Sequence, residues 1–136
     1  MRFVSLAGKP VHKNIQKFRI NWNKKSKSNI QFDTKQFLKQ YWQNHIVYEE
    51  MTLAGTRLSL DIVNLTEKIA IEVQGEQHSE YVEFFHGPRV GFLDQCDRDM
   101  KKKTWCELND FQLVEIYKGD LPLNEQFFND KYGITF

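Results

Sequence analysis

At 136 residues, 40% hydrophobic and 14% aromatic, the chain has the size of one domain and the apolar content for a packed core, and no run of about 18 apolar residues exists to cross a membrane. No apolar run separates Arg2 and Lys9 from a small-residue cleavage site, so no secretory signal is expected, and Cys96 and Cys106, outside any CxxC spacing, read as free thiols of a reducing cytoplasm. The net charge of +1 hides an asymmetry: residues 1–45 hold ten Lys/Arg and one acid, Asp33, whereas the remainder holds nine basic and seventeen acidic residues, which points to a polyanionic partner on the basic side.

Residues 1–31 show little regular periodicity and read as a basic arm. It carries Lys13, Lys17, Arg19, Lys24, Lys25 and Lys27, which with Lys35 form the candidate phosphate-contacting set. Lys24-Lys25-Ser26-Lys27 taken alone suits a solvated loop equally well. Asp33-Thr34 offers a helix N-cap, and Phe37, Leu38, Tyr41 and Trp42 fall at helical spacing, which predicts a helix over 33–44. From residue 46 the period changes to two. Strands are predicted over 46–51, 57–63 and 68–74, separated by turns at 54–56 and 64–67 and stopped by Gly75, in the spacing of an antiparallel meander. Residues 75–90 are loop-like. A helix follows over 89–109, ended by Asn109-Asp110, then a strand over 111–117 and a short helix over 122–131 opened by Pro122. The order is α-βββ-α-β-α. A helix between the third and fourth strands permits a crossover and a parallel pair. The expected fold is an α/β domain with a mixed sheet of about four strands and helices on both faces. Its parts are the arm (1–31), a core (32–118) and a C-terminal helix and tail (119–136). Trp105, Leu108, Phe111, Leu113 and Ile116 read as core.

Alternation sets side-chain direction in the strands. On the second strand Leu58, Leu60 and Ile62 share one face, opposite Ser59, Asp61 and Val63. On the third, Ile69, Ile71 and Val73 share one face, opposite Ala70, Glu72 and Gln74. The turn at 64–67 folds the strands together, so Asp61 and Glu72 can lie side by side on a polar face. Two carboxylates so placed repel unless a cation joins them. Mg²⁺ takes oxygen ligands, commonly one or two carboxylates with waters and a substrate phosphate, and it acidifies a water nucleophile while clamping phosphate oxygens. The pair alone is also common on an exposed hairpin face.

The segments Gly55-Thr56-Arg57-Leu58-Ser59-Leu60-Asp61, Ile69-Ala70-Ile71-Glu72-Val73-Gln74-Gly75-Glu76-Gln77-His78, Arg98-Asp99-Met100-Lys101-Lys102, Cys106 and Leu113-Val114-Glu115-Ile116-Tyr117 add to this. Over 46–118 they resemble the PD-(D/E)XK nuclease superfamily, whose core is a restriction-endonuclease-like mixed sheet flanked by helices. Within it they are similar to the very-short-patch-repair-like branch, often found in phage-borne and homing-type endonucleases. The resemblance implies Asp61 and Glu72 as metal carboxylates, with the backbone carbonyl of Val73 as a further ligand. It implies an upstream glutamate as third acid. Glu50 faces with Tyr48 and Thr52, whereas Glu49 faces with Val47 and Met51, so Glu50 is favoured. The superfamily's lysine position is Gln74, which has no charge and can only orient water or phosphate through its amide. The missing positive charge is assigned to Lys102, one helical turn after Arg98.

His78, in the same branch, belongs to the site as general base, phosphate donor or metal ligand. His86 is a weaker candidate. Arg98 is a candidate contact to the scissile phosphate. The implied activity is Mg²⁺-dependent hydrolysis of DNA phosphodiesters, with Mn²⁺ as a substitute cation and no membrane partner. One chain offers one site, so cutting both strands implies a homodimer or two sequential nicks. Three rivals stand beside this reading: a junction- or mismatch-resolving nuclease on the same fold, a catalytically silent DNA-binding subunit, for which Gln74 is the best argument, and a plain interaction module whose carboxylates are solvated.

Overall fold

The computed structural model describes residues 1–75 and 88–136, with side chains over 1–74 and 95–136. A hairpin of β1 (Arg2–Val4) and β2 (Pro10–His12) comes first. Helix α1 (Asn29–Trp42), strands β3 (Val47–Thr52), β4 (Ser59–Asn64) and β5 (Ile69–Gly75), helix α2 (Pro88–Leu108), strand β6 (Gln112–Tyr117) and helix α3 (Glu125–Tyr132) follow. The four-stranded sheet runs β3-β4-β5-β6. Its first three strands pair antiparallel, and β5 and β6, joined through α2, pair parallel. The fold is the mixed α/β sheet expected.

Helices cover both faces. Leu38 and Trp42 of α1 and Phe128 of α3 pack with Val47, Ile62, Ile71 and Val114 on one side. Trp105 and Cys106 of α2 pack with Tyr48, Val63 and Ala70 on the other. Burying apolar side chains on both faces contributes roughly 1.5–3 kcal/mol for each large one. This corrects the expectation of a polar face under Asp61 and Glu72: Val63 and Ala70, the neighbours that share their alternation, are fully buried. The alternation also breaks locally. Met51 and Leu60 join the α2-side cluster although Ile62 lies on the opposite one, and the break falls beside Glu50, whose φ is +51°. Leu108, expected in the core, is 38% exposed in the last residue of α2.

Helix α1 starts four residues earlier than expected. Ser28, not Asp33, is its N-cap, its Oγ accepting from the Gln31 amide at 3.1 Å; Thr34 lies within the helix and donates to the Ile30 carbonyl. The segment expected to be an arm is folded onto the core. Phe3 packs against Trp105 at 5.3 Å between ring centroids, the Val4 backbone exchanges two hydrogen bonds with Asn109, Ile15 is buried, and Ile20 donates to the Val47 carbonyl. Gly133, left-handed at φ +67°, ends α3 as its C-cap.

Candidate active site

Strand register builds the site. Asp61 lies one step beyond the Ile62–Ile71 pair, which puts it opposite Glu72. The β3–β4 register continues on both sides of Glu50, through Glu49–Ile62 and Met51–Leu60, so Glu50 falls opposite Asp61. Glu72 is in turn beside Glu115 of β6. One row of four acids, Glu50, Asp61, Glu72 and Glu115, therefore crosses the sheet on the side covered by α2. Only the two central members are buried: Asp61 is 1% and Glu72 5% exposed.

Their surroundings differ. Asp61 accepts from Lys27 Nζ at 2.6 Å through Oδ1 and from the Val73 backbone amide at 2.8 Å through Oδ2. Glu72 Oε2 accepts from Lys102 Nζ at 3.2 Å, while Oε1 is buried with no hydrogen-bond partner among the described residues. Burial pushes the Glu72 carboxyl up to about 8, the charge of Asp61 adds to the rise, and Lys102 and Lys27 pull it back. For Lys27, partial burial works against the ammonium but is outweighed by Asp61, Glu50 and Glu72, which raise its pKa above the usual lysine value. On α2, one turn after Lys102, burial pushes the Cys106 thiol up to about 12, with Glu72 and Glu107 adding, so it stands beside the site as a neutral group.

Of the expected residues, Asp61, Glu72, Val73, Glu50 and Lys102 come together here. Glu50, 3.9 Å from Lys27 Nζ, is the upstream glutamate on this side. Glu49 points to α1 instead and binds Lys35, Gln31 and Ser26. Gln74 is the extra residue of a bulge, since β5 steps from Val73 to Gly75 while β6 steps from Ile116 to Tyr117. The alternation that put Gln74 on the face of Glu72 does not carry through such a bulge. Arg98 is exposed and donates to Gln95 Oε1 at 2.8 Å rather than to either carboxylate. His78 and His86 lie outside the described residues.

Among the basic residues, Lys17, Arg19, Lys24 and Lys25 are exposed and Lys13 is half-buried. Lys13 and Lys17 stand over the Phe18 ring. Lys35 is a correction. It is fully buried, its Nζ donating to Glu49 at 2.9 Å and to the Lys24 carbonyl at 2.7 Å, so its ammonium cannot meet a DNA phosphate. Lys27 was expected only as a backbone contact, and its bond to Asp61, 34 residues away, has no signal in local sequence. Glu115 was missed as a member of the row; the parallel pairing of β5 and β6 with the alternation of β6 would have pointed to it. A cavity of about 700 Å³ lined by Val11, Arg57, Leu58 and Lys101 lies between the hairpin and the β3–β4 turn and includes none of the four acids.

The donor set fits a divalent cation. Two opposed carboxylates supply hard oxygen ligands, one buried oxygen lacks a partner among the described residues, and a cationic ammonium already sits on Asp61. Among the described residues no group of three or more His, Cys, Asp or Glu is placed so that it could hold a metal ion. Mg²⁺ commonly needs only one or two protein carboxylates, completing its shell with waters and phosphate.

No family model matches the chain, and no solved structure does. Two curated viral proteins are similar over part of it. The uncharacterized protein 094L of frog virus 3 (isolate Goorha) is 41% identical over 63 residues, 46% of this chain and 41% of that protein. The uncharacterized protein 033L of invertebrate iridescent virus 3 is 31% identical over 64 residues, 47% of this chain and 33% of that protein. The similarity thus spans about half of this chain and less than half of either relative.

Proposed function

We propose that this chain is a nuclease that hydrolyses DNA phosphodiester bonds with a divalent cation, Mg²⁺ or in its place Mn²⁺, at Asp61 and Glu72. One observation carries the reading: two opposed buried carboxylates of which one, Glu72, keeps an oxygen without a partner among the described residues. A buried acid used for architecture alone is normally satisfied at both oxygens, because an unpaired buried polar atom costs roughly 1–3 kcal/mol.

Asp61, Glu72 and the Val73 carbonyl are the residues that would hold the ion. When bound, it supplies Lewis-acid polarisation of a phosphate oxygen and a more acidic water. The Val73 amide fixes the orientation of Asp61. Lys102, anchored beside Glu72, supports the negative charge that grows on phosphate in the transition state. Gln74 orients water or phosphate through its amide, His78 serves as base or phosphate donor, and Arg98, one turn before Lys102, contacts the phosphate. Lys17, Arg19, Lys24 and Lys25, all exposed, hold backbone phosphates with an affinity that falls with salt and carries little sequence information. The viral relatives suit a virus-borne protein, and the proposal makes it a nicking or homing-type enzyme working in the host cytoplasm.

The test is incubation of supercoiled plasmid with the purified protein in Mg²⁺, Mn²⁺ or EDTA. Metal-dependent relaxation is expected, falling by about 10³-fold or more in Glu72→Ala and Asp61→Asn, while DNA binding in a mobility-shift assay persists. Mismatched duplexes and four-way junctions form the second arm, and cleavage confined to them would make the substrate branched DNA. DNA binding with no cleavage of any substrate in any metal would replace the nuclease with a silent DNA-binding subunit.

A further inference from the structure

The loop over 21–28 brings a cation into the acid row from outside the sheet. Lys27 Nζ lies 2.6 Å from Asp61 Oδ1 and 3.9 Å from Glu50 Oε1. The Lys27 side chain is 52% exposed whereas that of Asp61 is 2% exposed, so the ammonium has one side on buried acid and the other on solvent. Lys102, reaching Glu72 from α2, is only 16% exposed. The loop is tied on both sides of Lys27. The Lys24 carbonyl accepts from Lys35 Nζ, Ser26 Oγ donates to Glu49 Oε2 at 2.6 Å, and Ser28 caps α1. The backbone at Lys27 is thereby fixed and its four-carbon stem is left to move.

We propose that Lys27 is the substrate-facing cation of this site. In the free protein it occupies Asp61; it gives that carboxylate up to a divalent cation and then contacts the scissile phosphate, a second positive charge beside that of Lys102. The inference rests on the reading of Asp61 and Glu72 as metal carboxylates. An ammonium and a divalent ion cannot share Asp61 Oδ1, since two cations a few ångströms apart repel. A flexible lysine with an open solvent side has somewhere to go, and an incoming phosphate is the anion that compensates its loss of Asp61. Metal binding and phosphate contact are therefore linked through one side chain.

The experiment uses the full chain with Lys27→Met and Lys27→Arg, and Lys102→Met for comparison. Mn²⁺ binding is measured without DNA by calorimetry or electron paramagnetic resonance, and single-turnover cleavage at saturating metal. Lys27→Met should bind Mn²⁺ about tenfold tighter, because its competitor is gone, yet cleave about 100-fold slower, and Lys27→Arg should recover part of the rate. A misfolded variant would bind the metal more weakly, so tightening separates the role from mere structural damage. Unchanged or weaker Mn²⁺ binding, or wild-type cleavage by Lys27→Met at saturating metal, overturns the proposal. If the wild type cleaves nothing while Lys27→Met still tightens Mn²⁺ binding, the nuclease reading and the phosphate contact fall and the competition for Asp61 stands. If no form binds Mn²⁺, the metal reading of Asp61 and Glu72 falls, and the proposal with it.

Discussion

The sheet carries an acid–lysine cluster on each face, and the two are finished differently. On the α1 side Glu49 receives Lys35 at Oε1 and both Ser26 and Gln31 at Oε2, so the carboxylate is satisfied, with only the uncharged Gln31 Oε1 left over. On the α2 side Asp61 and Glu72 have a lysine each, but Glu72 Oε1 has no partner among the described residues. Adjacent residues of β3, Glu49 and Glu50, feed the two clusters. The lesson is that burial of charge does not by itself mark a site. A closed set of hydrogen bonds holds α1 and the loop over 21–28 to the sheet; an open set next to a half-exposed lysine leaves room for a ligand.

The comparison breaks most sharply at Lys35. Lys35→Met should cost about 2–4 kcal/mol in urea denaturation, because Glu49, largely covered, keeps Ser26 and Gln31 but loses its counter-charge. The double variant with Glu49→Gln should recover much of that loss. If Lys35→Met were neutral, the α1-side cluster would not be architectural, and the contrast between the faces would fail.

The open cluster is sharpened by pH. The Glu72 carboxyl is raised to about 8 from an ordinary value of 4.5. The native chain thus holds a proton that the unfolded chain has lost between those values, and stability should fall as pH rises across the window. Glu72→Gln has no proton to lose and should remove this slope, gaining on the wild type by on the order of 1–3 kcal/mol at pH 8.5 relative to pH 5. Mn²⁺ binding by the wild type should strengthen about tenfold per pH unit below 8 and level off above it, with one proton released per ion. A flat stability difference together with pH-independent metal binding would mean that Glu72 is ionised throughout.

The smallest expected effect tests the boundary between the clusters. Ser28→Ala removes the cap of α1 and should cost about 1 kcal/mol, leaving metal binding by the folded protein unchanged. A large change in Mn²⁺ affinity, tighter as Lys27 is released from Asp61, would show that the loop over 21–28 is set by the cap rather than by Lys35 and Ser26.

By itself the sequence determined the local pattern. Period two gave three successive strands, a helix between the third and fourth gave the parallel pair, and alternation with a short turn put Asp61 opposite Glu72. These follow from neighbours within a few residues or across one turn. The early start of α1 was misread because Ser28 sits in a polar Asn/Lys/Ser stretch, where composition says loop although one hydroxyl can begin a helix. The docking of the first hairpin was illegible because the partners of Phe3 and Val4, Trp105 and Asn109, lie about a hundred residues away. The tertiary structure alone decided which lysines are spent inside and which face outward. Lys35 and Lys27 come from the same basic stretch, yet one is sealed against Glu49 and the other reaches Asp61 with half its side chain in solvent. Charge in a sequence has no direction, and a lysine's role is fixed by which buried acid the folded backbone brings within reach of its stem.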